Sequence, residues 1–172
     1  SLAGKRALVT GGSRGIGAAT AMLLAEQGTH IAIGFRQRQR DADEVVRQAR
    51  ALGVSATAIS ADIGTADGAN QLVKAAAEDL GGLDFFVGNS GIWITDEVPV
   101  ANMADDQWRR TLRENLDSMF FTTRAAARVL SEHGRIVLVA STAGQRGEAL
   151  HADYAATKGA MISFVKSLCV EL

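Results

Sequence analysis

Thr10-Gly11-Gly12-Ser13-Arg14-Gly15-Ile16-Gly17 joins a short apolar run, Ala7-Leu8-Val9, to a stretch of helical composition over residues 15–27. Glycines at such a junction let the backbone turn sharply, and the free N–H groups at the start of a helix attract a phosphate. The spacing Gly-x-x-x-Gly-x-Gly differs from the commonest dinucleotide pattern, so its place after the first strand carries the argument. The stretch predicts a strand-turn-helix unit that holds a pyrophosphate. A structural turn without a ligand is the alternative.

The rest of the chain repeats this alternation of apolar runs and helical stretches. Runs that are apolar at consecutive positions are typical of strands buried on both faces, and helical crossovers between them indicate a parallel sheet. We predict further strands at 31–35, 54–60, 83–87 and 135–139, and helices at 41–52, 65–80, 105–130 and 152–172. Thr65 or Asp67 could cap the helix at 65–80. The predicted fold class is α/β, a Rossmann-type doubly wound parallel sheet with helices on both faces.

The composition is that of an ordinary globular domain. The 172 residues carry 18 Lys and Arg against 19 Asp and Glu, a formal charge of −1, which favours neither nucleic acid nor a membrane surface as a partner. The one cysteine, Cys169, cannot form an internal disulfide or a cysteine-rich zinc site, and we expect it to be a small buried side chain in a helix. We expect no metal. No apolar run is long enough for a membrane span, so we predict one soluble, cytoplasmic domain over 1–172.

The end of the second predicted strand bears on cofactor selectivity. It reads Gly34-Phe35-Arg36 and lacks the acidic residue that commonly binds the ribose hydroxyls of NAD. Guanidinium groups suit a phosphate, so Arg36 and Arg14 could bind the ribose 2′-phosphate instead. This favours NADP(H) over NAD(H). The alternative is that Arg36, Arg38 and Arg40 form a solvated loop.

Polar residues with acid-base chemistry gather late in the chain. Tyr154 is the one tyrosine, and Lys158 follows it by four residues, so that both share a helix face. An ammonium beside a phenol lowers the pKa of the phenol, which suits it for general acid-base work. An amphipathic surface pair is the alternative for an isolated match. However, Gly11, Asn89 and Ser141 all follow strand ends, which places them at the same edge of the sheet as the phosphate turn. Ser141 lacks the Gly-x-Ser-x-Gly elbow of a nucleophile.

Together these motifs resemble those of the short-chain dehydrogenase/reductase family, in its single-domain branch, similar to 3-oxoacyl-reductase-like and glucose-dehydrogenase-like members. The resemblance covers essentially the whole chain. It implies that Asp62, followed by Ile63, contacts the adenine ring and that Asn115 belongs to the catalytic set with Ser141, Tyr154 and Lys158. The implied cofactor-binding residues are Gly11, Ser13, Arg14, Gly15, Ile16, Gly17, Arg36, Asp62, Ile63, Asn89, Gly91, Tyr154 and Lys158.

The resemblance also implies a reaction. Tyr154 would give a proton to a carbonyl, or take one from an alcohol, while the nicotinamide of NADP(H) supplies or accepts the hydride. Lys158 would lower the pKa of Tyr154 and bind the nicotinamide ribose, Ser141 would orient the substrate oxygen, and Asn115 would hold a water in a relay to Lys158. The implied partners are a small-molecule carbonyl or alcohol and further copies of the chain, as a dimer or tetramer. A catalytically inactive cofactor-binding or regulatory module is the alternative, and sugar-nucleotide epimerases rank lower.

The sequence departs from the family pattern in two places. The family's Asn-Asn-Ala-Gly reads Gly88-Asn89-Ser90-Gly91, and Gly88 lacks a side chain that helps to tie the central sheet together, which predicts a looser region. The sequence ends within the helix of Tyr154, whereas family members continue with further strands, so we expect a truncated C-terminus with five strands visible. Residues expected either to border the substrate or to lie in plain loops or subunit contacts are Trp93, Ile94, Gln145, Arg146, Glu148 and His151.

Overall fold

Five parallel strands form one sheet in this computed structural model, which describes residues 1–172. The strands are β1 (Arg6–Thr10), β2 (His30–Phe35), β3 (Ala56–Ser60), β4 (Leu83–Gly88) and β5 (Leu130–Leu138). Their order across the sheet is β3-β2-β1-β4-β5, and every neighbouring pair is parallel. The direction in which successive strands are added reverses between β1 and β4, and open α/β sheets bind ligands at such a switch point.

Helices connect the strands and cover both faces of the sheet. They are α1 (Gly15–Glu26), α2 (Gln39–Ala51), α3 (Ala66–Leu80), α4 (Asp105–Leu112), α5 (Ser118–Ala127), α6 (Ala143–Arg146) and α7 (Ala152–Glu171), with a 3₁₀ turn at Val100–Asn102 and a π turn at Arg113–Asp117. Thr65 caps α3, its side chain accepting a hydrogen bond from the Gly68 N–H. None of these helices combines the length and the apolar character that crossing a membrane requires.

Alternate residues of β1 point to opposite faces of the sheet. Ala7 and Val9 belong to an apolar cluster with residues of α1 and α2, whereas Leu8 belongs to a second cluster with residues of α3 and α5. Ala7, Leu8 and Val9 of β1 are fully buried, and each large apolar side chain buried in this way contributes about 1.5–3 kcal/mol. Two cores on one parallel sheet confirm the predicted doubly wound α/β fold.

Residues 105–130, predicted as one helix, form two helices separated by a π turn. The π turn at Arg113–Asp117 separates α4 from α5, and α5 ends at Ala127. Leu130 then pairs with Leu83, and a register shift precedes the pairing of Phe85 with Arg135. The predicted helix is therefore wrong in its regularity and at its end, because Leu130 joins the sheet instead of extending the helix.

Neighbouring residues fill the space beside Gly88 and hold the adjoining chain in place. A Cβ on Gly88 would lie 2.6 Å from Cδ2 of Leu138, so the leucine already fills the space of the missing side chain. Thr10 supplies the tie, because its hydroxyl oxygen accepts hydrogen bonds of 3.0 Å from the N–H groups of Asn89 and Ser90. These contacts join β4 to β1 and β5 around Gly88, and the looser region stays a prediction.

The carboxylate of Asp84 joins β4 to the two neighbouring strands, β1 and β5. Asp84 near the start of β4 accepts hydrogen bonds from the Arg6 side chain at 2.8 Å and the Ser131 hydroxyl at 3.0 Å. The hydrogen bond from Arg6 lowers the pKa of Asp84 to about 2.

Cys169 is exposed, so the prediction of a buried cysteine is wrong. The residue lies near the end of α7.

Candidate active site

The glycine turn between β1 and α1 leaves the start of the helix open. Gly11 and Gly15 adopt φ angles of +63° and +54°, which side chains rarely allow. A Cβ on Gly17 would collide with the main-chain oxygen of Gly11, so this glycine lets α1 pack against the turn. No side chain caps α1, and its first turn contains no acidic residue. The N–H groups of this helix start therefore remain available to an anion such as a pyrophosphate.

A cleft of about 350 Å³ extends from this turn along the carboxyl ends of the strands. It gathers residues from the turn, from the ends of β2 and β4, and from the loop after β3. The predicted cofactor residues that line it are Gly11, Ser13, Arg14, Gly15, Ile16, Arg36, Asp62, Ile63, Asn89 and Gly91. Gly17, Tyr154 and Lys158 do not line this cleft. The shape, the glycine cradle and the open helix start fit a dinucleotide.

Arg36 lies at the wall of the cleft and binds an acidic partner. Its Nη1 atom donates hydrogen bonds to both carboxylate oxygens of Glu114, at 2.6 and 2.8 Å. Arg113 bridges Glu114 to Asp62, and its hydrogen bond lowers the pKa of the Asp62 carboxyl. Glu114 also lines the cleft. A distant part of the chain thus places an acidic residue beside Arg36, which the sequence pattern did not reveal.

The other arginines after β2 are placed differently. Arg38 forms an ion pair of 3.1 Å with Asp41, and both side chains are exposed. Arg40 is exposed, and Arg14 is exposed at the mouth of the cleft. Arg38 therefore lines the cleft together with Arg36 and Arg14, whereas Arg40 is a solvated residue in the first turn of α2.

Asn89 holds the glycine turn from the end of β4. Its side-chain nitrogen donates hydrogen bonds to the main-chain oxygens of Thr10 at 3.0 Å and Gly11 at 3.4 Å. The switch point between β1 and β4 is thereby fixed by a side-chain amide as well as by the strand pairing.

Asn115 lies fully buried in the π turn. Its Oδ1 atom accepts a hydrogen bond of 2.7 Å from the Ile92 N–H, and its Nδ2 atom donates one of 3.0 Å to the Ile92 oxygen. The main-chain oxygen of Glu114 accepts a hydrogen bond of 2.7 Å from the Ser118 hydroxyl. A Cβ on Gly91 would lie 3.0 Å from Asn115 Oδ1 and 3.8 Å from Lys158 Nζ. Asn115 therefore fixes the loop after β4 beside Lys158.

Tyr154 and Lys158 lie in the first half of α7. Lys158 is only 4% exposed, which excludes the alternative of a surface pair. Its Nζ atom lies 5.7 Å from the centre of the Tyr154 ring and donates a hydrogen bond of 2.8 Å to the Val139 oxygen. Burial lowers the pKa of Lys158, because removal from water disfavours its charged form.

Asp153 anchors the helix that carries this pair. Its carboxylate accepts hydrogen bonds from the Thr111 hydroxyl at 2.6 Å, the Gln107 amide at 3.3 Å and the Tyr154 N–H at 2.9 Å. The residue is buried and joins α4 to the start of α7. Sequence reasoning missed it, although an Asp in the first turn of a helix is a recognisable capping signal.

Ser141 lies in the turn between β5 and α6. Its hydroxyl oxygen accepts a hydrogen bond of 3.2 Å from the Ala143 N–H. Three residues later, Gly144 packs against the main chain of Lys158 so closely that a Cβ would lie 2.6 Å from the Lys158 oxygen. The Ser141 turn is thus pressed against α7 at the level of Lys158, and Gly144 is a second residue that sequence reasoning missed.

One of the residues proposed to border a substrate, Trp93, contacts Tyr154, and a second, His151, packs on Trp93. The Trp93 and His151 rings are stacked, with centres 4.0 Å apart and planes 17° apart. Trp93 also meets the Tyr154 ring edge to face at 4.7 Å and 86°. Gln145 and Arg146 are exposed, and Arg146 lies 3.8 Å from Glu148. The structure therefore brings Trp93 to the tyrosine, with His151 stacked on Trp93.

Comparison with known proteins connects this arrangement to characterised chains. Residues 5–172 match a family model described as short chain dehydrogenase. Versicolorin reductase stcU of Emericella nidulans is 38% identical over 171 residues, which are 99% of this chain and 64% of that protein. The 3-oxoacyl-[acyl-carrier-protein] reductase of Synechocystis is 35% identical over 174 residues, or 100% of this chain and 70% of the reductase. This chain thus spans about two thirds of these relatives.

A solved structure shows the same fold. The crystal structure of a short chain dehydrogenase from Burkholderia cenocepacia in complex with NADP superposes with a TM-score of 0.94 at 41% identity. The match covers 99% of this chain and 69% of that one.

Proposed function

Because the chain belongs to the short-chain dehydrogenase family, we propose that it acts as an oxidoreductase that transfers a hydride between NADP(H) and a carbonyl or secondary alcohol. The observation that carries the proposal is the buried ammonium of Lys158, held beside the Tyr154 ring and against the loop after β4. A buried cation at a fixed place next to a phenol supports acid-base chemistry at the tyrosine.

Tyr154 is the proposed general acid and base. In the reductive direction its hydroxyl gives a proton to the substrate oxygen as the carbonyl becomes an alcohol, and in the oxidative direction it takes that proton back. The ammonium of Lys158 stabilises negative charge on the tyrosine oxygen after the proton has left. A bound nicotinamide supplies or accepts the hydride.

Ser141 and Asn115 have supporting parts in this proposal. Ser141 orients the substrate oxygen through its hydroxyl, which lies in a turn packed on α7. Both polar atoms of the Asn115 side chain are hydrogen-bonded to Ile92, so the side chain itself positions the loop. In a water relay to Lys158, the water would therefore be held by main-chain atoms of the π turn and not by the side chain of Asn115.

The proposed cofactor preference is NADP(H) over NAD(H). Arg36 and Arg14 face the cleft and offer guanidinium groups to a 2′-phosphate, and the Burkholderia relative is described in complex with NADP. Glu114 acts against this preference, because it binds Arg36 in the structure and could accept hydrogen bonds from ribose hydroxyls. The preference thus depends on whether the phosphate draws Arg36 away from Glu114.

The proposed partners are a small-molecule substrate and further copies of the chain. Phe120 of α5 is partly exposed, and its ring centre lies 6.3 Å from that of Phe164 of α7, which together give these helices an apolar outer surface. We propose that a dimer or tetramer forms through this surface and that the protein is cytoplasmic. Of the other large apolar side chains on these helices, Trp108 of α4 is partly exposed and Met119 of α5 is buried.

Replacement of the tyrosine tests the proposed function. Tyr154→Phe removes the acidic hydroxyl but keeps the ring, so we expect turnover of any reducible ketone to fall at least about a thousandfold. Binding of NADPH, followed by its fluorescence, should stay within about threefold, because the phosphate turn is untouched. Full turnover by the variant would exclude this mechanism. Cofactor binding by the wild type without turnover of any carbonyl would favour the inactive-module alternative.

A further inference from the structure

Trp93 occupies an unusual position for a loop side chain. One face of its indole is covered by His151 and one edge meets Tyr154, yet 45% of the residue remains exposed. Nearly half of this residue therefore stays open to solvent beside the proposed acid-base residue, although two rings pack against it.

His151 supports this surface from below. The residue is only 8% exposed, and Nδ1 lies 3.0 Å from the Ala149 oxygen. A carbonyl oxygen can only accept, so Nδ1 carries a proton and the ring is held in one orientation. Nε2 is buried without a hydrogen-bond partner, which is rare for a buried polar atom. The ring is therefore buried although its Nε2 atom forms no hydrogen bond.

We propose that Trp93, backed by His151, is an aromatic subsite that binds a planar conjugated ring of the substrate. The proposal rests on the proposed function and names the class of carbonyl that the site prefers. A ring placed on the face of Trp93 opposite His151 would form a three-layer stack. The edge-to-face contact between Trp93 and Tyr154 then brings a carbonyl fused to that ring to the tyrosine.

The stacked pair also explains why a rigid surface is present before a ligand arrives. A lone exposed tryptophan on a loop samples several rotamers, and a ligand must immobilise it on binding. The two rings lie 4.0 Å apart and nearly parallel, so Trp93 is already oriented. Stacking on such a surface favours an aromatic ring over a saturated one of equal size by about tenfold.

Tryptophan fluorescence tests the binding step without any turnover. The chain has two tryptophans, and Trp108→Phe leaves Trp93 as the reporter. The probe is 2-tetralone, a ketone fused to a benzene ring, and the matched control is 2-decalone, which has the same carbon skeleton but no aromatic ring. We expect 2-tetralone to quench Trp93 with an apparent Kd at least about tenfold below that of 2-decalone. Equal quenching by the two ketones would overturn the proposal.

Matched substitutions separate a flat surface from mere bulk. Trp93→Phe keeps a ring, whereas Trp93→Leu keeps apolar volume only, so the leucine variant alone should lose the preference in kcat/KM for 2-tetralone over 2-decalone. His151→Phe keeps the supporting ring and should retain the preference, whereas His151→Ala should reduce it about tenfold. A preference that survives in Trp93→Leu would assign Trp93 to a plain loop or a subunit contact and exclude the subsite.

The two proposals fail in different ways. If the ketones bind to Trp93 with the expected preference but Tyr154→Phe still turns them over, the proposed mechanism is wrong and the subsite stands. If Tyr154→Phe abolishes turnover while Trp93→Leu and His151→Ala keep the wild-type preference for 2-tetralone, the mechanism stands and the subsite is wrong.

Discussion

The side-chain nitrogen of Lys158 donates a hydrogen bond of 2.8 Å to the main-chain oxygen of Val139, the residue that follows β5. This contact joins α7 to the carboxyl end of the last strand in the sheet order. It directs a long flexible side chain to one place, beside Tyr154, at a position nearly closed to water. The protein thus keeps a charge where burial opposes it, which indicates that the charge serves function more than stability.

Removing this charge should therefore stabilise the fold. Lys158→Met retains the apolar stem and eliminates the buried ammonium, and we expect the free energy of unfolding to rise by on the order of 1 kcal/mol while turnover is lost. Calorimetry would measure the change in Tm. Lys166→Met, on an exposed position of the same helix, is the control and should leave Tm nearly unchanged. A lower Tm for Lys158→Met would mean that the bond to Val139 outweighs the burial of the charge.

The NADP(H) preference should depend on Arg36. We expect Arg36→Ala to weaken NADPH binding at least about tenfold and to change NADH binding by less than about twofold, because only NADPH has a 2′-phosphate to pair with the guanidinium. Parallel fluorescence titrations give both constants. Arg40→Ala removes an exposed charge of the same segment that does not line the cleft, and it should affect neither cofactor strongly. Equal weakening of both cofactors would contradict a phosphate contact.

Glu114 should act in the opposite direction. Its carboxylate binds Arg36 at 2.6 and 2.8 Å, so an incoming phosphate competes with it for the same guanidinium. Glu114→Gln weakens this competitor and should tighten NADPH binding about three- to tenfold without tightening NADH. Combining Glu114→Gln with Arg36→Ala should abolish the gain. A gain that persists in the double variant would assign the effect to the general charge of the cleft.

Gly144 should control the position of Ser141. A Cβ at this residue would lie 2.4 Å or slightly more from main-chain atoms of Lys158, and backbone cannot yield as a side-chain tip can. We expect Gly144→Ala to push the Ser141 turn away from α7 and to reduce kcat at least about tenfold, since small displacements of catalytic groups reduce rates strongly. NADPH affinity should be retained, because the glycine turn lies elsewhere. Unchanged kcat would show that the turn tolerates the displacement.

Acid stability should depend on Asp84. Its pKa in the folded protein is about 2, below the ordinary value of 3.8, so in this range the unfolded chain binds more protons. The stabilisation is therefore fully present above pH 4 and is lost as the pH falls towards 2. We expect it to be on the order of 1 kcal/mol, because Arg6 is partly exposed and water screens the pair. Urea unfolding of wild type and Asp84→Asn should converge at low pH. A constant difference would contradict this linkage.

Most of the fold could be predicted because its signals are local. Each strand is a short apolar run, and each turn after a strand contains glycine or polar residues within a few positions. Thr65 illustrates this: its capping role requires only the first turn of α3, and the structure confirms it. The predicted strand at 54–60 begins at Ala56 instead, since sheet pairing with β2 decides where a strand starts.

The features that were missed depend on contacts between distant parts of the chain. Glu114 meets Arg36 across 78 positions, and Asp153 meets Thr111 across 42. The π turn arises where Asn115 reaches Ile92, which no periodicity within the helix indicates. Cys169 was expected to be buried from its residue type alone, but burial is decided by what packs on each side of α7. A single sequence carries no direct record of such pairings.

The π turn at Arg113–Asp117 changes the direction in which the side chains of α5 point relative to those of α4. Each residue of a helix corresponds to a rotation of about 100°, and a π turn holds one residue more than the α-helical turn it replaces. Helix α4 can therefore face α7 while α5 faces α3 and the sheet, although the two run almost continuously. Deleting one residue here would turn Asn115 away from Ile92 even if every remaining residue type were retained. The length of this segment is therefore as important as the identities of Arg113, Glu114 and Asn115, whose side chains form the contacts described above.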